Sequence, residues 1–126
     1  MTYLDSLTED DYYFLVDLNG TLAHHEKGAP VFTAAGEPLI GKPIKRMVDR
    51  VRRLMDQGTS VRILCAAVSE DTPRAEKLRS AVKDWTKKHL GRALPVTATV
   101  TPRCIGIWND KARGVVRNTG KFTDER

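Results

Sequence analysis

Asp17 closes the apolar run Tyr12-Tyr13-Phe14-Leu15-Val16 and opens the tight segment Asp17-Leu18-Asn19-Gly20-Thr21-Leu22. A strand fixes the position of a carboxylate at its end, and a glycine turn just after it can present backbone N–H groups to an anion. Much later, Asp110 follows another apolar run, residues 104–108, and is preceded by Asn109. Asn19, Thr21, Ser69 and Asn109 add neutral polar groups, and Arg103 could add a positive charge. Hard oxygen donors of this kind suit Mg²⁺, which takes one or two carboxylates and keeps several waters. A carboxylate beside such an ion can attack a phosphorus centre and form an aspartyl-phosphate.

The surrounding periodicity indicates how these residues could meet. Residues 12–16 and 60–66 read as strands, as do 95–100 and 104–108, with a short last strand at 114–116. Pro43 suits a first helical position. Ile44, Met47, Val48, Val51, Leu54 and Met55 then repeat at helical spacing until Gly58. A second helix opens with Thr72 as N-cap and Pro73, buries Ala75, Leu78, Val82, Trp85 and His89, and stops at Gly91. Strands alternating with helices imply an α/β fold with right-handed crossovers and a mostly parallel sheet. In such sheets ligands bind beyond the carboxyl ends of the strands. Asp17, residues 65–69, residues 101–103 and Asn109-Asp110 are all expected there.

Residues 1–11 are polar and acidic and read as a flexible arm of a single domain spanning 1–126. Residues 23–41, broken by Gly28, Pro30, Gly36, Pro38 and Gly41, read as a small insert with a hairpin turning near Ala35-Gly36. That insert could be a flap over the site or a surface hairpin.

The wider segments carry a resemblance to a known family. Val16-Asp17-Leu18-Asn19-Gly20-Thr21-Leu22 is similar to the first motif of the haloacid dehalogenase superfamily, Asp-x-Asp-x-Thr in its phosphatases. Ile105-Gly106-Ile107-Trp108-Asn109-Asp110-Lys111-Ala112 resembles its fourth motif. Gly41-Lys42-Pro43-Ile44, His89-Leu90-Gly91-Arg92, Leu94-Pro95-Val96-Thr97 and Val115-Val116-Arg117-Asn118-Thr119-Gly120 resemble segments of its small phosphatase-like members, often encoded by phages and prophages. The resemblance covers nearly the whole chain. It implies a Rossmann-like, three-layer α/β/α core with Asp17 as nucleophile and metal ligand. Asn19 would give Mg²⁺ its backbone carbonyl, Asp110 would lie in the metal-binding acidic motif, and Gly20 and Thr21 would stand on the phosphate side.

The chain departs from that pattern at several positions around the expected pocket. Asn19 replaces the acid/base aspartate and cannot exchange a proton, a role commonly worth about 10²–10⁴-fold. Asn109 replaces a second aspartate. Cys65 stands where a phosphate-binding Thr or Ser is expected, and a thiol is a weaker donor. Ala67 replaces an arginine. Val100 aligns with the third-motif lysine, for which Arg103 could substitute. Two functions follow. One is a Mg²⁺-dependent phosphohydrolase acting on a small phosphate ester or nucleotide, slowed by Asn19. The other is a catalytically impaired phosphate- or nucleotide-binding module, or one that docks on a protein partner.

Composition narrows the classes. The chain has 126 residues, 40% hydrophobic and 29% charged, with a net charge of +5. A basic balance favours anionic ligands, but no nucleic-acid motif or aromatic-rich stacking surface accompanies it, which argues against nucleic acid. The basic residues Lys45, Arg46, Arg50, Arg52 and Arg53 could form an anion-binding stripe, but the simpler reading is the solvated outer face of the first helix. No apolar stretch reaches membrane-spanning length, and the opening residues lack the pattern of a signal peptide. Cys65 and Cys104 are expected to be free thiols in a reducing cytoplasm.

Overall fold

A computed structural model describes residues 12–124. Among these residues the strands are β1 (Tyr13–Asp17), β2 (Val61–Leu64), β3 (Val96–Thr97) and β4 (Cys104–Trp108), and the helices are α1 (Lys45–Asp56) and α2 (Pro73–Leu90). The sheet is all parallel, in the order β3-β2-β1-β4. The chain steps from β1 through α1 to β2 and through α2 to β3. It then returns across the sheet to place β4 on the far side of β1. The strand order therefore reverses between β1 and β4.

Register places Val16, Ile63 and Trp108 on one face. With Val61 and Val96 they meet Val48 and Val51 of α1 and Leu78, Val82 and Trp85 of α2 in one apolar core. Tyr13, Leu15, Arg62 and Ile107 point the other way, and the Arg62 guanidinium lies 4.0 Å from the centroid of the Tyr13 ring. Both helices thus cover the same face. Among the described residues no helix covers the second face, so they make two layers of the three that were expected.

Local chemistry explains most boundaries. Thr72 caps α2 by accepting the Ala75 N–H at 3.1 Å, Pro73 follows, and Gly91 ends the helix at φ 86°. Thr86, fully buried, donates to the Lys83 carbonyl at 2.8 Å and accepts the Leu94 N–H at 2.9 Å, which holds the turn into β3. His89 lies half-buried against the Trp85 ring, 4.6 Å between centroids. The α1 helix starts at Lys45 and not at Pro43, because Pro43 is engaged in a bridge with Ala23. The expected strand at 95–100 shortens to two residues. The Thr97 hydroxyl accepts the Thr99 N–H at 3.1 Å, a side-chain turn that ends the ladder. The expected strand at 114–116 is not part of the sheet. Val115 bridges Phe122, and the chain turns through Asn118 and Gly120, both at positive φ.

The insert over 23–41 has a closed neck. His24 N–H donates to the Lys42 carbonyl and Ile44 N–H to the Leu22 carbonyl, each at 2.8 Å. A Cβ on Gly41 would run into the His24 carbonyl oxygen, so this close pairing requires glycine there. The hairpin forms as expected, with Leu39 N–H on the Val31 carbonyl and Phe32 opposite Pro38. It docks on the first turns of α2 through Arg74 over Phe32 and a 2.8 Å ion pair between Lys77 and Glu37. The described residues include no helix long and apolar enough to cross a membrane, and both cysteines are free thiols.

Candidate functional site

The carboxyl ends of β1 and β4 meet at the point where the strand order reverses, the position at which open α/β sheets take ligands. Asp17 ends β1, and Asn109-Asp110 follow β4. Between them stands Thr21, buried, whose hydroxyl lies 3.3 Å from Asp17 Oδ2 and 3.5 Å from Asp110 Oδ1. Leu18, fully buried, anchors the loop: its N–H donates to the Leu64 carbonyl at 3.1 Å, and its carbonyl accepts Leu22 and Ala23 N–H at 3.0 and 2.8 Å.

Gly20 sits at φ 87°, and a Cβ there would come 2.7 Å from Asp110 Oδ2. Glycine is therefore what allows Asp110 to approach the loop. The Gly20 N–H donates to the Ala23 carbonyl at 2.8 Å, so this donor serves the loop itself.

The two carboxylates perturb each other. Burial, followed by the hydrogen bond and like charge of Asp110, raises the Asp17 carboxyl from 3.8 to about 6, against smaller opposing effects of Thr21 and Lys111. The Asn19 Oδ1 atom is buried and lacks a hydrogen-bond partner among the described residues, an arrangement that buried polar atoms rarely keep. The two crowded carboxylates form a hard-oxygen donor set. Its chemistry fits a Mg²⁺ ion completed by water. Among the described residues no group of three His, Cys, Asp or Glu side chains gathers around a potential metal position.

The other residues singled out in the sequence are placed as follows. Cys65 is buried at the end of β2, and burial together with the nearby Asp17 charge pushes its thiol up, so it remains neutral. Ser69 is exposed at the end of the 3-10 turn Ala66–Val68. Arg103 does not join the carboxylates. It precedes β4, its carbonyl accepts the Tyr13 N–H at 3.1 Å, and its guanidinium lies 5.6 Å from the centroid of the Tyr12 ring. It therefore belongs to the amino end of the sheet, a five-residue strand away from Asp17. The short β3 lets the chain return to that end before residue 103. The cation that does reach Asp17 electrostatically is Lys111, whose signal in the sequence was its position directly after Asp110.

A cleft of about 680 Å³ opens beside Gly20, Thr21 and Asp110. One wall is α1 and the residue before it, with Ile44, Met47 and Arg50; the other is Ile107, Trp108 and Asn109, continuing into 112–114. The 25–41 excursion lines neither wall. Helical spacing marked Ile44 and Met47 as core residues, and only the sheet order reveals that this end of the stripe faces β4. No protein-family model, no curated protein and no solved structure matches the chain.

Proposed function

We propose that the chain is a haloacid dehalogenase-like phosphohydrolase, with a weakened proton-transfer step, acting on small phosphate esters. The observation that carries this reading is the pairing of Asp17 and Asp110 across Gly20 and Thr21 at the β1–β4 switch point. Asp17 is the nucleophile, and Thr21 holds its carboxylate in line with the crevice. A Mg²⁺ ion held by Asp17, Asp110 and an oxygen of Asn19 would offset the phosphate charge and the repulsion between the carboxylates. Lys111 adds positive charge on the phosphate side, the part for which Arg103 was a candidate. Asn19 cannot protonate a leaving group, so turnover favours esters whose leaving oxygen needs no proton. On this reading the described sheet and its single helical layer are two layers of the family's three-layer core.

A second reading, a phosphate-binding module without turnover, draws on Asn19 and on the position of Arg103 away from the pair. Phosphate release from p-nitrophenyl phosphate with Mg²⁺, by the wild-type protein and Asp17→Asn, separates the two. Release that depends on Asp17 is the expected result. Equal rates for the two proteins would reject the phosphatase, and calorimetric binding of phosphate esters without release would favour the module.

A further inference from the structure

We infer that the cleft beside Asp110 receives the leaving group of the substrate, and that this group is an aromatic ring bearing a second anionic substituent held by Arg50. The inference rests on the phosphohydrolase reading and adds a substrate class to it. A phosphate group is far too small to occupy about 680 Å³, a volume within the range of sites for small organic ligands. Asp17 does not itself line the cleft, but the cleft begins at Gly20, Thr21 and Asp110, and the Thr21 hydroxyl lies 3.3 Å from Asp17 Oδ2, so its near end adjoins the nucleophile.

Its walls select the shape and charge of the occupant. Trp108 is fixed edge-on against Phe14, with ring centroids 4.8 Å apart, and lines the cleft together with Ile44, just before α1, and Met47 of α1. Such a slot matches a flat, weakly polar ring. Arg50 stands one turn beyond Met47 on the same stripe, with its Nη1 atom 3.5 Å from Met47 Sδ. Among the described residues no carboxylate pairs with Arg50, whereas Arg113 on the same cleft is bonded to Asp124 and stacked on Phe122. Arg50 therefore presents a charge that a planar carboxylate or phosphate can meet with two hydrogen bonds.

The missing acid points independently to the same class. Attack by an Asp17 carboxylate oxygen forms a P–O bond while the bond from phosphorus to the aryl oxygen breaks. The electron pair leaves with an aryl oxide, which is stable without a protein acid and takes its proton from water. Water then cleaves the aspartyl-phosphate to release phosphate and restore Asp17.

The test compares benzylphosphonate with 4-carboxybenzylphosphonate, neither of which can be hydrolysed. Each is titrated calorimetrically into the full chain with Mg²⁺. The carboxylated ligand should bind about tenfold more tightly. Arg50→Ala and Arg50→Gln should each shrink that preference to about twofold or less, while Arg46→Ala on the outer face of α1 should keep it. Thermal unfolding confirms that each variant is folded. Equal affinities in the wild type, a preference that survives in both Arg50 variants, or no binding of either ligand would overturn the inference. A preference that depends on Arg50, in a protein releasing no phosphate from aryl phosphates, would reject the phosphohydrolase reading and leave the cleft assignment standing.

Discussion

Asp17 holds a proton up to about pH 6 because it is partly buried and shares its surroundings with Asp110. In the unfolded chain the same carboxyl titrates near 3.8. Between these values the folded form binds the proton and the unfolded form does not. Folding stability contributed by this group is therefore fully present below about pH 4 and is lost as pH rises to about 6. Thermal unfolding of the metal-free protein should follow this course, with no further change from Asp17 above it. Asp110→Asn should flatten the slope and raise stability at pH 7 by on the order of 1 kcal/mol, and millimolar Mg²⁺ should act in the same direction on the wild type. A slope unaffected by Asp110→Asn would show that the two carboxyls do not interact. Gly20→Ala combines a strained φ with a Cβ 2.7 Å from Asp110 Oδ2. We expect a loss of about 1–3 kcal/mol in urea unfolding, together with weaker Mg²⁺ binding by calorimetry. Asn19→Asp restores a proton donor. Its effect should be about 10²–10⁴-fold on an alkyl phosphate and much smaller on p-nitrophenyl phosphate, measured as phosphate release.

Elements hold these groups through a few exacting approaches. Gly106 in β4 lies against the Phe14 ring, and a Cβ there would drive into that ring. Gly106→Ala should displace Phe14 and with it Trp108, lowering stability by about 1–3 kcal/mol in denaturant unfolding and changing the intrinsic fluorescence of the indole. Elements whose boundaries rest on nearest-neighbour chemistry were legible in the sequence: Thr72, Pro73 and Gly91 of α2, the turn at Gly36, and β1 within one residue. The carboxyl-end location of Asp17 and Asp110 was legible too, since it follows from strand order alone. What could not be read was set by residues distant along the chain. Arg103 looked like a strand-end residue because the run 95–100 looked like a full strand. The Thr97 side-chain turn shortened β3 and gave the chain room to return to the amino end. In the sequence Arg50 was one of five basic residues on a stripe for which anion binding was the less favoured reading; Arg50 alone of the five lines the cleft.

At the scale of the whole molecule, β1 lies between β2 and β4, and among the described residues β4 is an edge strand with Ile105 and Ile107 exposed. An edge strand with one neighbour should open more readily than the central strands. Amide exchange over 104–108 should be faster than over 13–17, and Mg²⁺ with a phosphonate should slow it by bridging the two strand ends; exchange insensitive to both ligands would argue that nothing spans β1 and β4. The same topology has a consequence for how the protein reaches its folded form. The pairs β1–β2 and β2–β3 each close over a single helix-containing connection, whereas β1 must await β4, whose residues lie about ninety positions later: Tyr13 pairs with Cys104. Closure over that separation carries the largest entropic cost in the sheet and belongs late in folding. Asp17 and Asp110 therefore come together only when the last strand docks. Any intermediate holding the first three strands would already have most of the apolar core and none of the carboxylate pair, so the chain passes through a compact but chemically blank stage before its site exists.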